Sequence, residues 1–358
     1  MDSLNFEELG IDWDPRKVGS PQYDQRIMLK LLVYVYSYGI RSSRKLERET
    51  HYNLSFIWLT GGLKLDHKTI AEFRRRNKKA LSKVLKQCAR LCIDLDLNWY
   101  EWMLTTIKSE VEDIWLHSLS PAEILWLANR SNLSLSQTLE RLRIAGLDSL
   151  PGGGAEILVD QVRQRVRPAK LTTSEWFEVM ETAQSIGMST TATMVYGLGE
   201  TTAQRIEHLL RVRELQDRTN GFRAFIPWSF QSNNTQLSHP PLSGVDYLRM
   251  VAISRLVLDN IKHIQAGWVT EAPYMAQLAL TFGVDDFGGV LMEESVVKAT
   301  GIDFGVTVEQ IISLISETSM VPAQRNTEYK ILRTFEPEKS SRGSDKECYE
   351  QKESYSRV

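Results

Sequence analysis

After about residue 99 the chain alternates between short apolar runs and longer amphipathic stretches. The runs at 114–117, 147–150, 191–196, 224–227, 261–265 and 287–291 are typical of buried strands, and the amphipathic stretches lie near 121–144, 156–164, 174–186, 202–216, 245–258 and 271–281. Strands that alternate with helices favour βαβ units and a parallel sheet. Six units in a row indicate a barrel, but a complete (β/α)8 barrel has eight strands. The pattern therefore predicts an α/β fold that is an incomplete (β/α)8 barrel, short by about two strands.

The first 92 residues have a different pattern and predict a small all-α unit. Helices are expected over 24–37, over 41–50 with Ser42 or Ser43 as N-cap, and over 66–92 with Asp66 as N-cap, with a turn at 58–63 between the last two. Several apolar residues of these segments are expected to form one core: Leu31, Leu32, Val35, Phe56, Ile70, Phe73 and Leu81. The pattern places irregular chain at 1–22.

Charge is unevenly distributed along the chain. Residues 1–98 carry 18 basic and 12 acidic side chains, a net charge of +6, and the remaining residues carry 25 and 33, a net charge of −8. Ten of the basic residues lie between 64 and 90, among them Lys68, Arg74, Arg75, Arg76 and Lys79. A basic helix binds phosphates by counterion release, so weak DNA contact through 64–90 is one interpretation. The other is an ordinary solvated helix face.

Composition excludes several classes of protein. No apolar run reaches the roughly 18–20 residues of a transmembrane helix, so no membrane partner is expected. The acidic start of the chain lacks the apolar segment of a secretory signal. Three cysteines, at 88, 92 and 348, are too few for a disulfide scaffold, which favours a cytoplasmic location. The polar, charged segment 336–358 is expected to be disordered.

Cys88 and Cys92 lie one helical turn apart, so two thiolates face the same side of a helix. Such a pair can begin a metal site, but an iron–sulfur cluster generally needs three or four ligands. A third cysteine is absent where it would follow, since position 95 is Leu95. Two buried structural cysteines are the preferred interpretation, and no metal site is expected.

Glycine-containing loops follow two of the predicted strands. Gly152, Gly153 and Gly154 follow the second run, and Gly197 to Glu200 follow the third. In a barrel, loops at the carboxyl ends of strands form one mouth and carry the site. Glycine there either admits a ligand or only satisfies the turn geometry. Ser118 and Ser120 end the first run and belong to the same mouth, with N-capping of the helix at Pro121 as the alternative role.

The N-terminal segment resembles a known domain. Residues 22–95 are similar to the N-terminal helical domain of insertion-sequence transposases, through GIRSSR (39–44), WLTGG (58–62), DHKTI (66–70) and Phe73-Arg74. In those enzymes an RNase-H-like catalytic domain with an Asp-Asp-Glu metal triad follows. The pattern that follows here is βα instead, so transposition chemistry is not expected.

Residues 99–335 resemble another family, the radical S-adenosylmethionine (SAM) enzymes of the futalosine pathway of menaquinone biosynthesis, above all dehypoxanthine futalosine cyclases. FO synthase and aminofutalosine synthase are relatives. The resemblance rests on LHSLSPAEI (116–124), AGLDSLPGGGAEILVDQVRQRVRPAKLTTSEW (145–176), TTATMVYGLGETTAQRIEHLLRVRELQD (190–217), GFRAFIPWSFQ (221–231), LTFGVDDFGGVLMEESVV (280–297) and VPAQRNTEY (321–329). It begins near the third barrel strand, which accounts for the two strands missing from the pattern.

This resemblance implies the family's cofactors and sites. The family binds SAM and a [4Fe–4S] cluster, the cluster on a C-x3-C-x2-C loop after the first strand, and acts on a nucleoside-type small molecule. That loop and the glycine-rich SAM motif of the second strand are not in this sequence. The positions that match the SAM side are Gly152, Gly153, Glu156, Thr193, Gly197, Glu200, Ile226 and Pro227. Those that match the substrate side are Ser118 and Ser120, with His117 either approaching the mouth or hydrogen-bonded in the barrel wall.

The sequence therefore reads as a chimera. We expect a transposase-like helical domain over 1–95, a partial radical SAM barrel over 99–335, and a disordered tail over 336–358. Without the cluster loop, cluster binding and cyclase activity are not expected, and SAM binding is doubtful. The alternative is a DNA-binding transposase fragment that carries a passive barrel remnant.

Overall fold

The computed structural model describes residues 24–37, 42–291, 294 and 296–335, apart from the side chains of 36, 37 and 87–94. The expectations for segments 1–22 and 336–358, and for the environment of all three cysteine side chains, lie outside the described residues. The described chain divides into two compact units. The first comprises the residues up to 112 with 126–146 and 294–302, and the second comprises 113–125, 147–291 and 303–335.

The helices and strands follow the predicted order only in part. The α-helices are α1 (Gln25–Ser37), α2 (Ser43–Tyr52), α3 (Leu54–Leu59), α4 (His67–Arg76), α5 (Lys78–Asp94), α6 (Leu97–Glu110), α7 (Pro121–Ser131), α8 (Leu135–Ile144), α9 (Asp160–Val166), α10 (Thr173–Ser185), α11 (Thr202–Thr219), α12 (Gly244–Val257), α13 (Trp268–Glu271), α14 (Pro273–Leu280) and α15 (Val308–Ser316). The strands are β1 (Ser149–Leu150), β2 (Ser189–Tyr196), β3 (Phe222–Ser229), β4 (His263–Ile264), β5 (Ala323–Arg325) and β6 (Ile331–Thr334). Of these elements, α3, α6, α15, β5 and β6 are additional to the prediction, and the helices predicted over 66–92, 121–144 and 271–281 are each divided.

The first unit has a core of its own, built by α1 to α5. All seven apolar residues predicted to pack together lie in one buried cluster, which also includes Met28, Leu46 and Val84. The Tyr34 and Phe56 rings meet edge to face, with centroids 5.2 Å apart. Ser42 caps α2, and Asp66 caps α4 by accepting hydrogen bonds from the backbone N–H of Lys68 and Thr69. The sequence pattern therefore located this core correctly.

The single helix predicted over 66–92 is wrong, because the chain leaves helical geometry at Asn77 and forms α4 and α5 instead. Asn77 has φ −105° and ψ 23°, and its side-chain amide donates to the carbonyl of Phe73 at 3.1 Å. Asparagine competes in this way with the helical hydrogen-bond pattern. Of the ten basic residues of 64–90, Lys64 precedes α4, four lie in α4 and five lie in α5, so they do not belong to one continuous helix.

The stretch near 121–144 is likewise two helices rather than one. Asn132 adopts a left-handed conformation with φ 52°, and Ser134 then starts α8 with a capping box to Gln137. Helix α6 was not predicted; Asp96 caps it by accepting from the N–H of Trp99. The Arg141 guanidinium of α8 binds the Glu101 carboxylate of α6 with N–O distances of 2.6 Å.

The second unit is an α/β structure with a parallel sheet in the order β1-β2-β3-β4. One further parallel bridge joins each edge, His117 to Ser149 on one side and Gln265 to Asp286 on the other. The first five predicted strands therefore each contribute at least one residue to the parallel sheet, in chain order, and Asp286 adds a bridge next to the fifth. The run 287–291 is nevertheless not a strand. Asp286 accepts from the N–H of Gly288 at 3.1 Å, and Gly288 has φ +89°, so the chain turns away after a single bridge.

An antiparallel hairpin, β5-β6, follows α15 in the same unit. None of the helices in the described ranges is both long and apolar enough to cross a membrane.

Candidate functional site

The candidate site lies where the loops leave the carboxyl ends of the parallel strands. The segment 151–158 follows β1 and runs beside β2, because the N–H of Val195 donates to the carbonyl of Glu156 at 3.1 Å. The segment 197–201 follows β2, and Phe230 follows β3 with its N–H bonded to the carbonyl of Tyr196 at 2.8 Å. Parallel pairing thus brings these loops to one edge of the sheet, as the pattern predicted for Gly152 and Gly197.

Gly152 is held against β2 by two hydrogen bonds. Its N–H donates to Thr191 Oγ1 at 3.1 Å, and Thr193 Oγ1 donates to its carbonyl at 2.6 Å. A Cβ atom at Gly152 would lie 2.7 Å from the Thr191 carbonyl oxygen and 2.8 Å from the Thr193 nitrogen. Close approach to the strand therefore requires glycine at this position, whatever the loop binds. The Thr193 hydroxyl, expected on the SAM side, is engaged in the same contact.

Gly153 has more room. A Cβ atom there would lie 3.5 Å from the Ser120 Cβ, which is ordinary van der Waals contact. The Gly153 carbonyl accepts from Trp176 Nε1 at 3.3 Å. The structure therefore brings the loop after β1 next to Ser120, one of the two serines predicted for the mouth.

Glu156 is strained and incompletely bonded. Its backbone has φ +38°, which a residue with a Cβ rarely adopts. One carboxylate oxygen pairs with the Lys170 ammonium, and the other, Oε2, is buried without a hydrogen-bond partner among the described residues. Of the polar side chains predicted for the SAM side, Glu156 is the one that retains an unsatisfied buried atom.

Glu200 is fully engaged within its own turn. Its carboxylate accepts from the N–H groups of Gly197 and Leu198, both at 2.7 Å, and from Arg205 Nε at 2.6 Å. Burial alone would raise the pKa of Glu200, but the backbone N–H groups and the Arg205 guanidinium outweigh it and hold the pKa below its ordinary value. Gly197 has φ +95°, as the tight turn requires. This carboxylate orders the loop and has no evident capacity for a ligand.

Ile226 and Pro227 lie in the interior of β3 and are both buried. Their register partners on β2 are Thr193 and Met194. These two residues shape the wall of the site through their backbone and apolar surface, and contribute no ionisable group.

The residues predicted for the substrate side are near one another in the chain but differ in environment. Ser120 is tied to α7, because its N–H and hydroxyl both donate to Glu123 Oε2 at 2.7 Å. Ser118 is half-buried. His117 lies level with Ser149 at the start of β1, and its Nδ1 is 2.8 Å from Ser149 Oγ and 3.0 Å from Arg223 Nη2. Burial, and then the Arg223 charge, lower the pKa of His117 to about 4, so the imidazole is neutral at pH 7.

Three features of the second unit were not predicted, namely Glu271, Tyr196 and Arg223. At the carboxyl ends of the strands, Glu271 accepts from the Ser229 N–H at 3.1 Å, the Ser229 hydroxyl and the Thr270 hydroxyl at 3.1 Å, and burial raises the pKa of Glu271 above its ordinary value. The fully buried Tyr196 has a hydroxyl with no partner in the described part of the chain. The available signal for Glu271 was an acidic residue soon after the fifth predicted strand.

The third feature is Arg223 at the start of β3. An arginine inside the apolar run GFRAFIP was a signal of a buried charge. It contacts Ser189 Oγ at 3.4 Å and Ser149 Oγ at 3.1 Å in addition to His117.

A cavity of about 610 Å³ lies beside the β5-β6 hairpin, and its lining is mostly apolar. The charged groups at its wall are paired with one another. Asp286 binds Arg325 at 2.5 and 3.1 Å and accepts from the Tyr329 hydroxyl at 3.0 Å, and the His263 ring stacks on Tyr329 with centroids 4.2 Å apart. These contacts fasten the hairpin to the end of the sheet.

The helical N-terminal segment and the α/β segment of this chain match two different families, so the chain is a chimera. Residues 3–76 match the family model described as a transposase domain (DUF772), and residues 219–338 match the CofH/MqnC C-terminal region. Cyclic dehypoxanthine futalosine synthase from Halalkalibacterium halodurans is 46% identical over 69% of this chain and 67% of the relative. The chain belongs to the radical SAM family that contains this enzyme.

Two further relatives and one solved structure are similar to parts of this chain. Cyclic dehypoxanthine futalosine synthase from Streptomyces coelicolor is 42% identical over 67% of this chain, and the match spans 60% of the relative's length. The 5-amino-6-(D-ribitylamino)uracil–L-tyrosine 4-hydroxyphenyl transferase of Archaeoglobus fulgidus is 40% identical over 73% of this chain and 82% of the relative. The solved FeFe-hydrogenase maturase HydG from Carboxydothermus hydrogenoformans is 14% identical, with a TM-score of 0.49 over 65% of this chain and 53% of that chain.

Substituting Gly152 tests the close approach of the loop to β2. We expect Gly152→Ala to lower the free energy of unfolding by about 1–3 kcal/mol, because the added methyl group meets backbone atoms that cannot rotate away. Gly153→Ala is the matched control and should change stability little. Urea unfolding followed by circular dichroism measures both. Equal stability of the two variants would contradict the packing described here.

His208 gives the second unit an acid-sensitive contact. This fully buried imidazole accepts from the Leu158 N–H at Nδ1 (3.0 Å), and burial, with the nearby Arg163 and Arg211 charges, lowers its pKa to about 3. The unfolded chain therefore takes up a proton that the folded chain refuses, and stability is lost as the pH falls below about 6.5 towards 3.

We expect a loss of at most about 1.4 kcal/mol per pH unit from this histidine. His208→Gln should remove that contribution, leaving a smaller one from His117. His51→Gln, at an exposed position of the first unit, is the control. Urea unfolding between pH 4.5 and 7.5 measures the slope, and an unchanged slope in His208→Gln would refute the assignment.

Proposed function

We propose that residues 99–335 are the remnant of a cyclic dehypoxanthine futalosine synthase-type barrel, a (β/α)8 fold without its first two βα units, and that this chain alone does not perform the radical reaction. The observation that carries the proposal is the cysteine inventory. Cys88, Cys92 and Cys348 are the three cysteines of the sequence, and they do not form a C-x3-C-x2-C loop.

The donor set does not fit a [4Fe–4S] cluster. A radical SAM cluster needs three thiolates on one loop, whereas Cys88 and Cys92 lie on α5, in the transposase-like part of the chain. Among the described side chains, no group of three or more His, Cys, Asp or Glu residues has the arrangement of a metal site. No reaction step is therefore assigned to a cluster in this chain.

The residues matched to the SAM side also offer few open contacts. The Thr193 hydroxyl and the Glu200 carboxylate are bonded to their own loops, and only Glu156 keeps an unpartnered oxygen. This supports an inactive remnant rather than a working cofactor site. What the second unit retains is the part that matches the nucleoside side, Ser118 and Ser120, whereas His117 is hydrogen-bonded beside Ser149 at the start of β1.

The strand positions support the incomplete barrel. His117, β1, β2, β3, β4 and Asp286 pair in chain order, each with the next, as six successive strands of a parallel barrel do. With the helical domain assigned to 1–95, the transposase-like segment occupies the place along the sequence that the first two βα units have in the family. An insertion sequence that entered a cyclase gene and fused in frame accounts for this arrangement.

Anaerobic reconstitution with iron and sulfide tests the proposal. We expect no stable cluster approaching about four irons per chain and no 5′-deoxyadenosine from SAM and reductant. The Halalkalibacterium halodurans relative, treated in parallel, is the positive control. A SAM-perturbed [4Fe–4S] electron paramagnetic resonance signal from this chain would overturn the proposal and restore an enzymatic function.

A second candidate function is DNA binding by the first unit, favoured by the match to a transposase domain and by the exposure of Lys68 and Lys79. Not all the basic residues support it equally. Arg75 and Arg76 both form ion pairs with Glu72, at 2.8 and 2.5 Å. Contact with phosphates would have to compete with that carboxylate, so the exposed lysines are the better candidates.

A salt titration of the affinity for nonspecific duplex DNA tests this function. If Lys68 and Lys79 contact phosphates, log Kd should vary steeply with log salt concentration, by about 0.9 per phosphate neutralised. Lys68→Gln combined with Lys79→Gln should reduce the slope by about 1–2, whereas Lys262→Gln, exposed in the second unit, should not. Weak binding with a flat salt response would exclude the DNA function.

A further inference from the structure

Arg223 differs from the other buried and half-buried arginines of the second unit in what surrounds its charge. Five of these arginines have a carboxylate within 4 Å: Arg205, Arg211, Arg213, Arg255 and Arg325. Arg163 instead donates to three backbone carbonyls. Arg223 has neither an acidic side chain nor a carbonyl oxygen as a partner within the described residues.

The contacts of Arg223 leave its charge uncompensated. They are two serine hydroxyls, the His117 nitrogen and the Trp115 ring, whose centroid is 5.7 Å from the guanidinium carbon. Its Nε atom is buried without a hydrogen-bond partner among the described residues. A guanidinium that lacks an anion, with a donor unsatisfied, costs free energy that a bound carboxylate or phosphate recovers.

Hydrogen bonding around Ser149 holds the Arg223 guanidinium in place. Ser149 Oγ accepts from Trp115 Nε1 at 2.7 Å and from Arg223 at 3.1 Å. The same hydroxyl lies 2.8 Å from His117 Nδ1, which is itself 3.0 Å from Arg223 Nη2. These neutral groups orient the guanidinium but supply no negative charge.

Neighbouring charges do not cancel that of Arg223. Burial is the largest cause that lowers the pKa of Arg223; of its neighbours on the β5-β6 hairpin, Tyr329 and Glu328 raise this pKa and Arg325 lowers it. Glu328 already accepts from Lys330 at 3.1 Å and from Asn326 at 3.2 Å. Arg325 adds positive potential, since its own carboxylate partner, Asp286, is shared with Tyr329.

We propose that Arg223, beside the Trp115 ring, binds the oxyanion group of a small ligand, a carboxylate or a phosphate. The site lies at the amino-terminal ends of the parallel strands, where Ser149 and Ser189 begin β1 and β2. It is separate from the glycine loops at the carboxyl ends. A planar guanidinium suits the two oxygens of such a group, and the adjacent indole favours an aromatic ligand. The inference does not rest on the proposed loss of radical chemistry.

Calorimetric titration of the full chain at pH 7 and constant ionic strength tests the inference. The probes are benzoate, phenyl phosphate and, as the neutral comparison, methyl benzoate. At least one anion should bind ten-fold or more tightly than methyl benzoate, and the tighter of the two identifies the group as carboxylate or phosphate. If neither anion binds better than methyl benzoate, the site does not exist.

Variants locate the binding. Arg223→Gln should weaken it by ten-fold or more, the size expected for losing a charge-assisted hydrogen bond. Arg223→Lys keeps the charge but loses the planar guanidinium that can donate to two oxygens at once, so this variant should weaken ligand binding at least three-fold. It serves as the decisive variant if Arg223→Gln does not fold. Arg211→Gln, whose parent side chain pairs with Glu207, should bind as the unmodified chain does. Unchanged affinity in Arg223→Lys would refute the proposal.

Discussion

The parallel pairing of β2 with β3 is the constraint on which the second unit depends. Seven register pairs join these strands, from Thr190–Phe222 to Tyr196–Ser229, while β1 and β4 contribute two pairs each. Backbone N–H and C=O groups in a buried sheet must be paired. The register of β2 with β3 therefore fixes the position along the strands at which each following loop begins. The loop after β1 is in turn registered on β2 through Gly152 and Glu156. The positions of the site residues follow from that register.

Charge in this unit is mostly compensated within the loops themselves. Glu200 is held by two N–H groups and Arg205, and Asp286 by Arg325 and Tyr329. A carboxylate satisfied in this way stabilises a turn but has little capacity left for a ligand. Six buried side-chain atoms of this unit lack a partner among the described residues: Glu156 Oε2, Thr173 Oγ1, the Tyr196 hydroxyl, His208 Nε2, Arg223 Nε and Asn260 Oδ1. Of these residues, only Glu156 and Arg223 carry a charge at pH 7, so they are the candidates for binding an oppositely charged group.

The sequence predicted the order of elements and the core of the first unit well, because both depend on hydrophobic periodicity. It failed at Asn77 and Asn132, where one side chain or one left-handed residue ends a helix inside an otherwise periodic stretch. It failed again at 287–291, since apolar composition does not reveal that Gly288 turns the chain. Periodicity reports which face is buried, but not where the backbone breaks.

For the candidate site, the sequence predicted which residues lie at the strand ends, but not which of their side chains are already hydrogen-bonded within the protein. The glycine loops were located from the rule that strand ends carry the site, and they lie at one edge of the sheet. Whether Thr193 or Glu200 remains available depends on contacts with residues that are distant in sequence or on an adjacent arginine. Arg223 illustrates the same limit, because its partners at 117, 149 and 189 come from three other strand positions. Such convergence is set by the register of the sheet.

Each of the two compact units buries an apolar core of its own. The first unit closes a core around Leu31, Phe56 and Ile70, all fully buried by helices of the same unit. The second buries Phe225, Trp176 and Tyr247 around its own sheet. Burial of this apolar surface stabilises each core. Strands β1 to β4 pair in parallel within the second unit, so the sheet and the core that covers it lie in the same compact part of the chain.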